Sequence, residues 1–163
     1  MNEIISKDDV EQLKFVLNYH KDMTYLDSVV ELQDFIKENN LETKEMPIVN
    51  HFAPDVYARQ MDASAGDLVI SRMHRTEHLN ILLKGSISIL TEDGVQYFEA
   101  PMIMKSGVGS KRIGYFHEDS SWLTIHSNPN NITEEDALIE MLTVPEVEAK
   151  AFLDSLNIKE LPQ

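Results

Sequence analysis

The chain has 163 residues, 42% of them hydrophobic and 26% charged, with 28 acidic against 14 basic side chains for a formal net charge of −14. That length supports one well-buried core and a single domain, while the acidic excess argues against binding to nucleic-acid phosphates or to an anionic membrane surface. The absence of cysteine excludes disulfides, thiolate nucleophiles and sulfur-ligated metals.

The opening MNEIISKDDVEQ has no basic region followed by an apolar run, so no signal peptide is expected. No apolar stretch approaches the roughly 20 residues of a membrane span, and a soluble, cytoplasmic protein is expected.

Residues 1–44 read as an N-terminal helical flank. Ser6 with Asp9, and Thr24 with Asp27, look like capped helix starts, and apolar residues such as Val10, Leu13, Leu17 and then Leu26, Val30 recur at helical spacing. A DNA-reading helix pair is disfavoured, because this segment carries ten acidic and five basic residues.

The composition changes at Met46-Pro47. Residues 45–128 alternate in short runs punctuated by Gly, Pro and Asp, the pattern of an all-β sandwich or barrel. Strands are expected at 56–61, 67–74, 78–83, 86–91, 95–99, 101–104, 111–116 and 122–126. Thr91-Glu92-Asp93-Gly94 reads as a tight hairpin turn. Ser106-Gly107-Val108-Gly109-Ser110 reads as a second turn, since it lacks the lysine and helix of a phosphate loop.

After Asn128-Pro129-Asn130-Asn131, helical signals return over 129–163. Thr133 is placed to cap a helix over 134–142, and Pro145 to begin another that runs to about residue 156.

The chemistry concentrates in Gly66 to Gly85, GDLVISRMHRTEHLNILLKG. Alternation puts Leu68, Ile70, Arg72 and His74 on one side of a strand and Val69, Ser71 and Met73 on the other. After the break at Arg75-Thr76-Glu77, His78 opens a second run, so His74 and His78 are expected on the same side of one sheet. Asn80 follows on that side. His126 shares its face with Trp122 and Thr124 and points either into the barrel as a third ligand or to a backbone carbonyl. Glu77 is a solvated turn residue, or a general base if the turn folds over the mouth. Tyr115 faces in or out on a one-residue register choice. His117 is expected to be solvated, and His20 and His51 carry no role.

This order of strand, histidine, turn, strand, glycine and hairpin resembles the cupin superfamily, a small jelly-roll barrel. In its first motif, Gly66 and Gly85 match the two glycines and His74 the second histidine. Arg72 stands for the first histidine and His78 for the glutamate. In the second motif, Lys111 or Arg112 stands where a metal-binding histidine is usual. More closely, 51–126 is similar to small cupin-like proteins of bacteriophages and prophages, through FAPDVYAR, HRTEHLN, TEDG, EAP, SKRIGY, HEDSSW and TIH.

The expected class is therefore mainly β, a cupin-like jelly-roll β-barrel with α-helical N- and C-terminal flanks. The resemblance implies a divalent metal (Zn, Fe, Mn or Ni) on His74, His78 and His126. Arg72 and Arg112, if inward, oppose a cation and favour a small anionic ligand, positioned with Asn80. One reading is a metal-dependent enzyme of oxygenation, isomerisation or lyase type. The other is a non-catalytic scaffold, such as a phage accessory or virion component. Outward Leu79, Ile81 and Leu83 need cover, from the flanks or a second copy, and a homo-oligomer is expected. No serine-nucleophile elbow, Walker loop, dinucleotide fingerprint or zinc-protease helix is present.

Overall fold

Strand alternation in this chain is expressed as two antiparallel sheets laid face to face. The computed structural model describes residues 3–5, 34, 38–39, 43–91 and 94–160. One sheet has six strands in the order β2 (Thr43–Lys44), β1 (Glu3–Ile5), β5 (Leu68–Ile70), β11 (Ile113–Phe116), β8 (Ser86–Thr91) and β9 (Gly94–Glu99). The other has five, in the order β10 (Met102–Ser106), β7 (His78–Lys84), β12 (Ser120–Ser127), β4 (Val56–Ala63) and β3 (Ile48–Ala53). A two-stranded ladder joins β6 (Met73–His74) to β13 (Thr143–Val144). The expected mainly β class holds, with two packed antiparallel sheets, although no ladder joins the sheet edges into a closed barrel among the described residues.

The inner face of the five-stranded sheet changes character rung by rung. Leu82, Trp122 and Met61 lie side by side in register, and with Val69, Ile87, Ile89 and Phe116 from the opposite sheet they form the apolar core. Each such side chain contributes about 1.5–3 kcal/mol by leaving water. One rung along, the neighbours are Asn80, Thr124 and Arg59; beyond them His126 pairs with Tyr57. The strands thus run from an apolar end into a polar one, and the candidate site occupies the polar end.

Gly66 and Gly85 bracket the central stretch with φ of 88° and 89°. At Gly85 a Cβ would lie 2.7 Å from the Ser120 Cβ, so the β7–β8 turn admits only glycine without displacement. The single strand expected over 67–74 is instead two, β5 and β6, interrupted at Ser71-Arg72. There the backbone exchanges hydrogen bonds with Arg112, Ser71 N donating to Arg112 O and Arg112 N to Ser71 Oγ, both at 2.9 Å. This break ends the simple alternation. His74 consequently belongs to a different sheet from His78.

The C-terminal flank holds α1 (Glu135–Leu142), a 3-10 turn (Glu146–Glu148) and α2 (Ala149–Glu160). Thr133 does not cap α1: the N-cap residue is Glu134, and no side chain makes a capping bond. Pro145 precedes the 3-10 turn that leads into α2, close to its expected place. Helix α1 rests on Tyr57 through Leu138 and Leu142, while Phe152 and Leu153 of α2 rest on Met73 and Val144.

The expected helix starts at Ser6–Asp9 and Thr24–Asp27 lie outside the described residues, as do His20 and the Glu92-Asp93 turn, but Asp34 and Glu38, which are described, are helical as expected of the second helix. Within 1–44, however, β1 and β2 are strands rather than helix, and β1 pairs with β5. Among the described residues no helix is long and apolar enough to cross a membrane.

Candidate functional site

Between the two sheets, under α1, lies a cavity of about 120 Å³ that runs from the polar rungs to the core residues Met61, Val69, Phe116 and Trp122. For scale, a cavity of about 150 Å³ accommodates one benzene ring. Three imidazoles enter it from separate segments: His74 from β6, His78 from the start of β7 and His126 from β12. Their ring centroids are 4.2 Å (His74–His78), 4.9 Å (His78–His126) and 5.8 Å (His74–His126) apart.

The local backbone explains this convergence. The Ser106–Ser110 turn grips β6, with Gly109 N donating to His74 O at 2.8 Å and His74 N to Ser110 O at 3.0 Å. Gly109 has φ of 81°, and a Cβ there would lie 2.9 Å from Leu156 Cδ1, so the turn and α2 are fitted to each other. His78 Nδ1 lies 3.1 Å from Thr76 O. A carbonyl only accepts, so Nδ1 carries the hydrogen and a neutral His78 leaves Nε2 bare. His126 Nδ1 is buried with no hydrogen-bond partner.

Burial holds all three rings in the neutral form at pH 7. It lowers His74 to about 3, with further depression from His78, Arg59 and Arg112, against a backbone hydrogen bond at Ser110 that raises it. It lowers His126 to about 3 as well, assisted by His78, His74 and Arg59. His78 is lowered chiefly by burial, with the Arg112 charge adding to it and the Thr76 hydrogen bond opposing. Neutral imidazole is the form that ligates metals.

Arg72 and Arg112 both line the cavity, as does Asn80, whose Nδ2 donates to Ser106 Oγ at 2.7 Å. Arg112 Nε is buried without a partner. Lys111, its neighbour, faces away: its enclosed Nζ contacts Glu146 at 3.0 Å and Ser71 O at 3.2 Å. Arg112 is therefore the residue of the second motif region that reaches the cavity. Glu77 does not fold over the mouth, because it forms an exposed ion pair with Lys105 at 3.2 Å. Tyr115 lies on the opposite side of β11 from Phe116 and packs edge-on against exposed His117. His117 bonds Ser88 Oγ at 2.7 Å, and His51 bonds Gln60 at the surface.

Two charged cavity residues escaped the sequence reading. Arg59 sits on β4 in phase with Tyr57 and Met61, so alternation alone carried the signal. Burial lowers its pKa first; Tyr57 and Glu135 raise it and the nearby Arg72 charge lowers it further. Glu135, on the first turn of α1, supplies the other charge. Tyr57 is raised by burial, with Arg59 and Glu135 acting in opposite senses, and its hydroxyl donates to Asn50 Oδ1 at 2.8 Å.

The donor chemistry suits a metal, and so does the spacing: a tetrahedral ion bound at about 2.1 Å by three imidazoles sets ring centroids about 5 Å apart. The ring orientation is not that of a closed site, because among the described residues no three His, Asp or Glu side chains converge to hold an ion.

No protein-family model and no curated protein matches the chain. Solved structures with a similar fold include a cupin-2 domain protein from Shewanella frigidimarina, with 14% identity over 58% of this chain and 92% of that one, at a TM-score of 0.44. A putative acetylacetone dioxygenase from Methylibium petroleiphilum has 16% identity over 61% and 80%, at 0.44. The cupin-2 domain of an XRE-family transcriptional regulator from Enterobacter cloacae has 8% identity over 53% and 99%, at 0.45. Likeness at this level says nothing about ligand or reaction, which are argued from the cavity.

Proposed function

We propose that this chain is a cupin-type binding protein whose cavity holds a small molecule beside a divalent cation carried by His74, His78 and His126. The observation that supports this reading is the meeting of three neutral imidazoles from three chain segments, all ring centroids within 5.8 Å. The orphan His126 Nδ1 would gain a partner in such an ion. When bound, the cation supplies Lewis acidity to an oxygen-bearing ligand. Arg72, Arg112 and Asn80 orient that ligand, and α1 closes the cavity from above.

Elemental analysis of untagged protein tests the reading, followed by melting with added Zn, Mn, Fe or Ni salts. Saturation at 100 times Kd stabilises by about 2.7 kcal/mol, a rise of roughly 5–10 °C for a chain of this size. His74→Ala and His126→Ala each abolish that rise. Protein that is metal-free as isolated and unmoved by every salt removes the cation from the reading.

A second reading, a homo-oligomeric scaffold, is favoured by a separate observation. The outer face of the five-stranded sheet presents Leu79, Leu83 and Ile103 to solvent, and neither α1 nor α2 covers them. In that reading two copies pair through this face.

A further inference from the structure

We infer that the cavity selects a small dianion, a short dicarboxylate or a phosphate-type oxyanion, held by Arg72 and Arg112, with Glu135 set against Arg59 as the internal counter-charge. The inference rests on the reading of the cavity as a ligand pocket and names the class of ligand.

Charge carries the argument. Arg59 comes from β4, Arg72 from the break between β5 and β6, and Arg112 from the turn before β11, and all three line one cavity of about 120 Å³. Arg59 and Arg72 are close enough for the charge of one to oppose the other. Glu135 is the one carboxylate among the described lining residues. Among the described lining residues Glu135 is set against Arg59, which leaves the two guanidiniums of Arg72 and Arg112 in a chain whose total is −14. No ion pair to Arg72 or Arg112 occurs among the described residues, and Arg112 Nε is buried without any partner.

Like charges gathered away from water carry a desolvation penalty of several kcal/mol per ion unless an opposite charge joins them. Two negative charges balance Arg72 and Arg112, and one leaves them half compensated. The guanidinium fork suits carboxylate and phosphate oxygens, which it binds in bidentate fashion. Volume sets the upper size, since a cavity somewhat below the 150 Å³ of a benzene site admits about six or seven heavy atoms. Malonate and inorganic phosphate satisfy both limits.

The chain provides its own reporter. Trp122 is the only tryptophan and lines the cavity, so its emission responds to occupancy. Chelator-treated full-length protein is titrated with malonate, inorganic phosphate, acetate and uncharged malonamide. Either dianion is expected to bind at least about tenfold more tightly than acetate, with no response to malonamide. The tighter of malonate and phosphate identifies the source as dicarboxylate or phosphate. Arg72→Met and Arg112→Met each weaken the preferred dianion by about tenfold or more, while Glu135→Gln tightens it.

Ligand-free Arg112→Met is expected to melt no lower than the parent, because a guanidinium whose Nε is enclosed without a partner is gone, so weaker binding is not read as unfolding. Equal affinity for acetate and malonate overturns the inference, as does dianion binding unchanged by both arginine replacements. If no anion binds while the metal-dependent rise in melting temperature persists, the dianion is refuted and the cation stands. If malonate binds and no metal does, the cation alone falls.

Discussion

At the scale of single residues, His74, His78 and His126 make the site a liability in acid. Their folded pKa values are depressed, to about 3 for His74 and His126, whereas in the unfolded chain they lie near 6.5. The unfolded state therefore binds more protons between those values. The stability due to keeping these rings neutral is fully present above pH 6.5 and is lost as pH falls toward 3. Each such ring contributes a slope of about 1.4 kcal/mol per pH unit inside that window. Urea unfolding of metal-free protein between pH 7 and 4.5 measures it, and His74→Gln and His126→Gln are each expected to flatten the curve. An unchanged slope in both variants would sink the assignment of these rings as buried and neutral. His74 and His78 were legible from their places in an alternating run, and His126 from its phase with Trp122. Arg59 was equally legible from its phase with Tyr57, and its omission came from attending to the motif rather than to every inward strand position. Glu135 was not legible, because the position of a helix over a cavity depends on tertiary packing that no local pattern encodes.

At the scale of elements, α1 is a cover strapped down at both ends. At its start, Asn128 bonds Ile132 in both directions, Oδ1 accepting at 3.0 Å and Nδ2 donating at 2.9 Å. At its end, Arg75 Nε donates to Thr143 O at 2.7 Å, and β13 pairs with β6 directly beside His74. Lys111 completes the strap: its side chain is 0% exposed and meets Glu146, which is 34% exposed. The asymmetry in burial predicts an asymmetry in cost. Glu146→Ala removes the carboxylate from an enclosed ammonium that keeps the Ser71 carbonyl, and is expected to cost about 1–3 kcal/mol, below the 3–5 of a fully buried pair because the carboxylate is partly solvated. Lys111→Met removes the enclosed charge and leaves a carboxylate that water can reach, so it costs less. Equal losses in denaturant unfolding would contradict this account. Most strands followed from alternation and came within a few residues of their expected ends. The interruption at Ser71-Arg72 was hidden, because its cause is a hydrogen-bonded meeting with Arg112, some 40 positions away. Strand β3 was overlooked since Asn50 and His51 interrupt its apolar pattern, although its pairing with β4 supplies what the composition lacks.

At the scale of the whole molecule, the surface combines a net charge of −14 with one apolar sheet face. In register across that face lie Ile103, Ile81 and Leu123, with Leu79 and Ile125 in the next row. Ile103 is 69% and Leu83 50% exposed, an arrangement an isolated soluble domain rarely keeps in one patch. Five strands at about 4.8 Å and six residues at about 3.3 Å give roughly 500 Å² in projection, or about 1,000 Å² over two copies, the lower bound for a specific interface. A weak two-fold dimer through this face is therefore the expected assembly. Its electrostatics fix a second signature, because two strongly acidic copies repel at long range and salt screens that repulsion. Sedimentation velocity across a concentration series should show a monomer–dimer equilibrium that shifts toward dimer as salt rises from about 20 to about 300 mM, which shortens the Debye length from roughly 20 to roughly 6 Å. Ile103→Glu should abolish the dimer while changing the melting temperature of dilute protein little, since the side chain is 69% exposed. A monomer at every concentration and salt would refute the pairing and leave the cavity as the remaining functional feature. A dimer insensitive to Ile103→Glu would move the interface to another face.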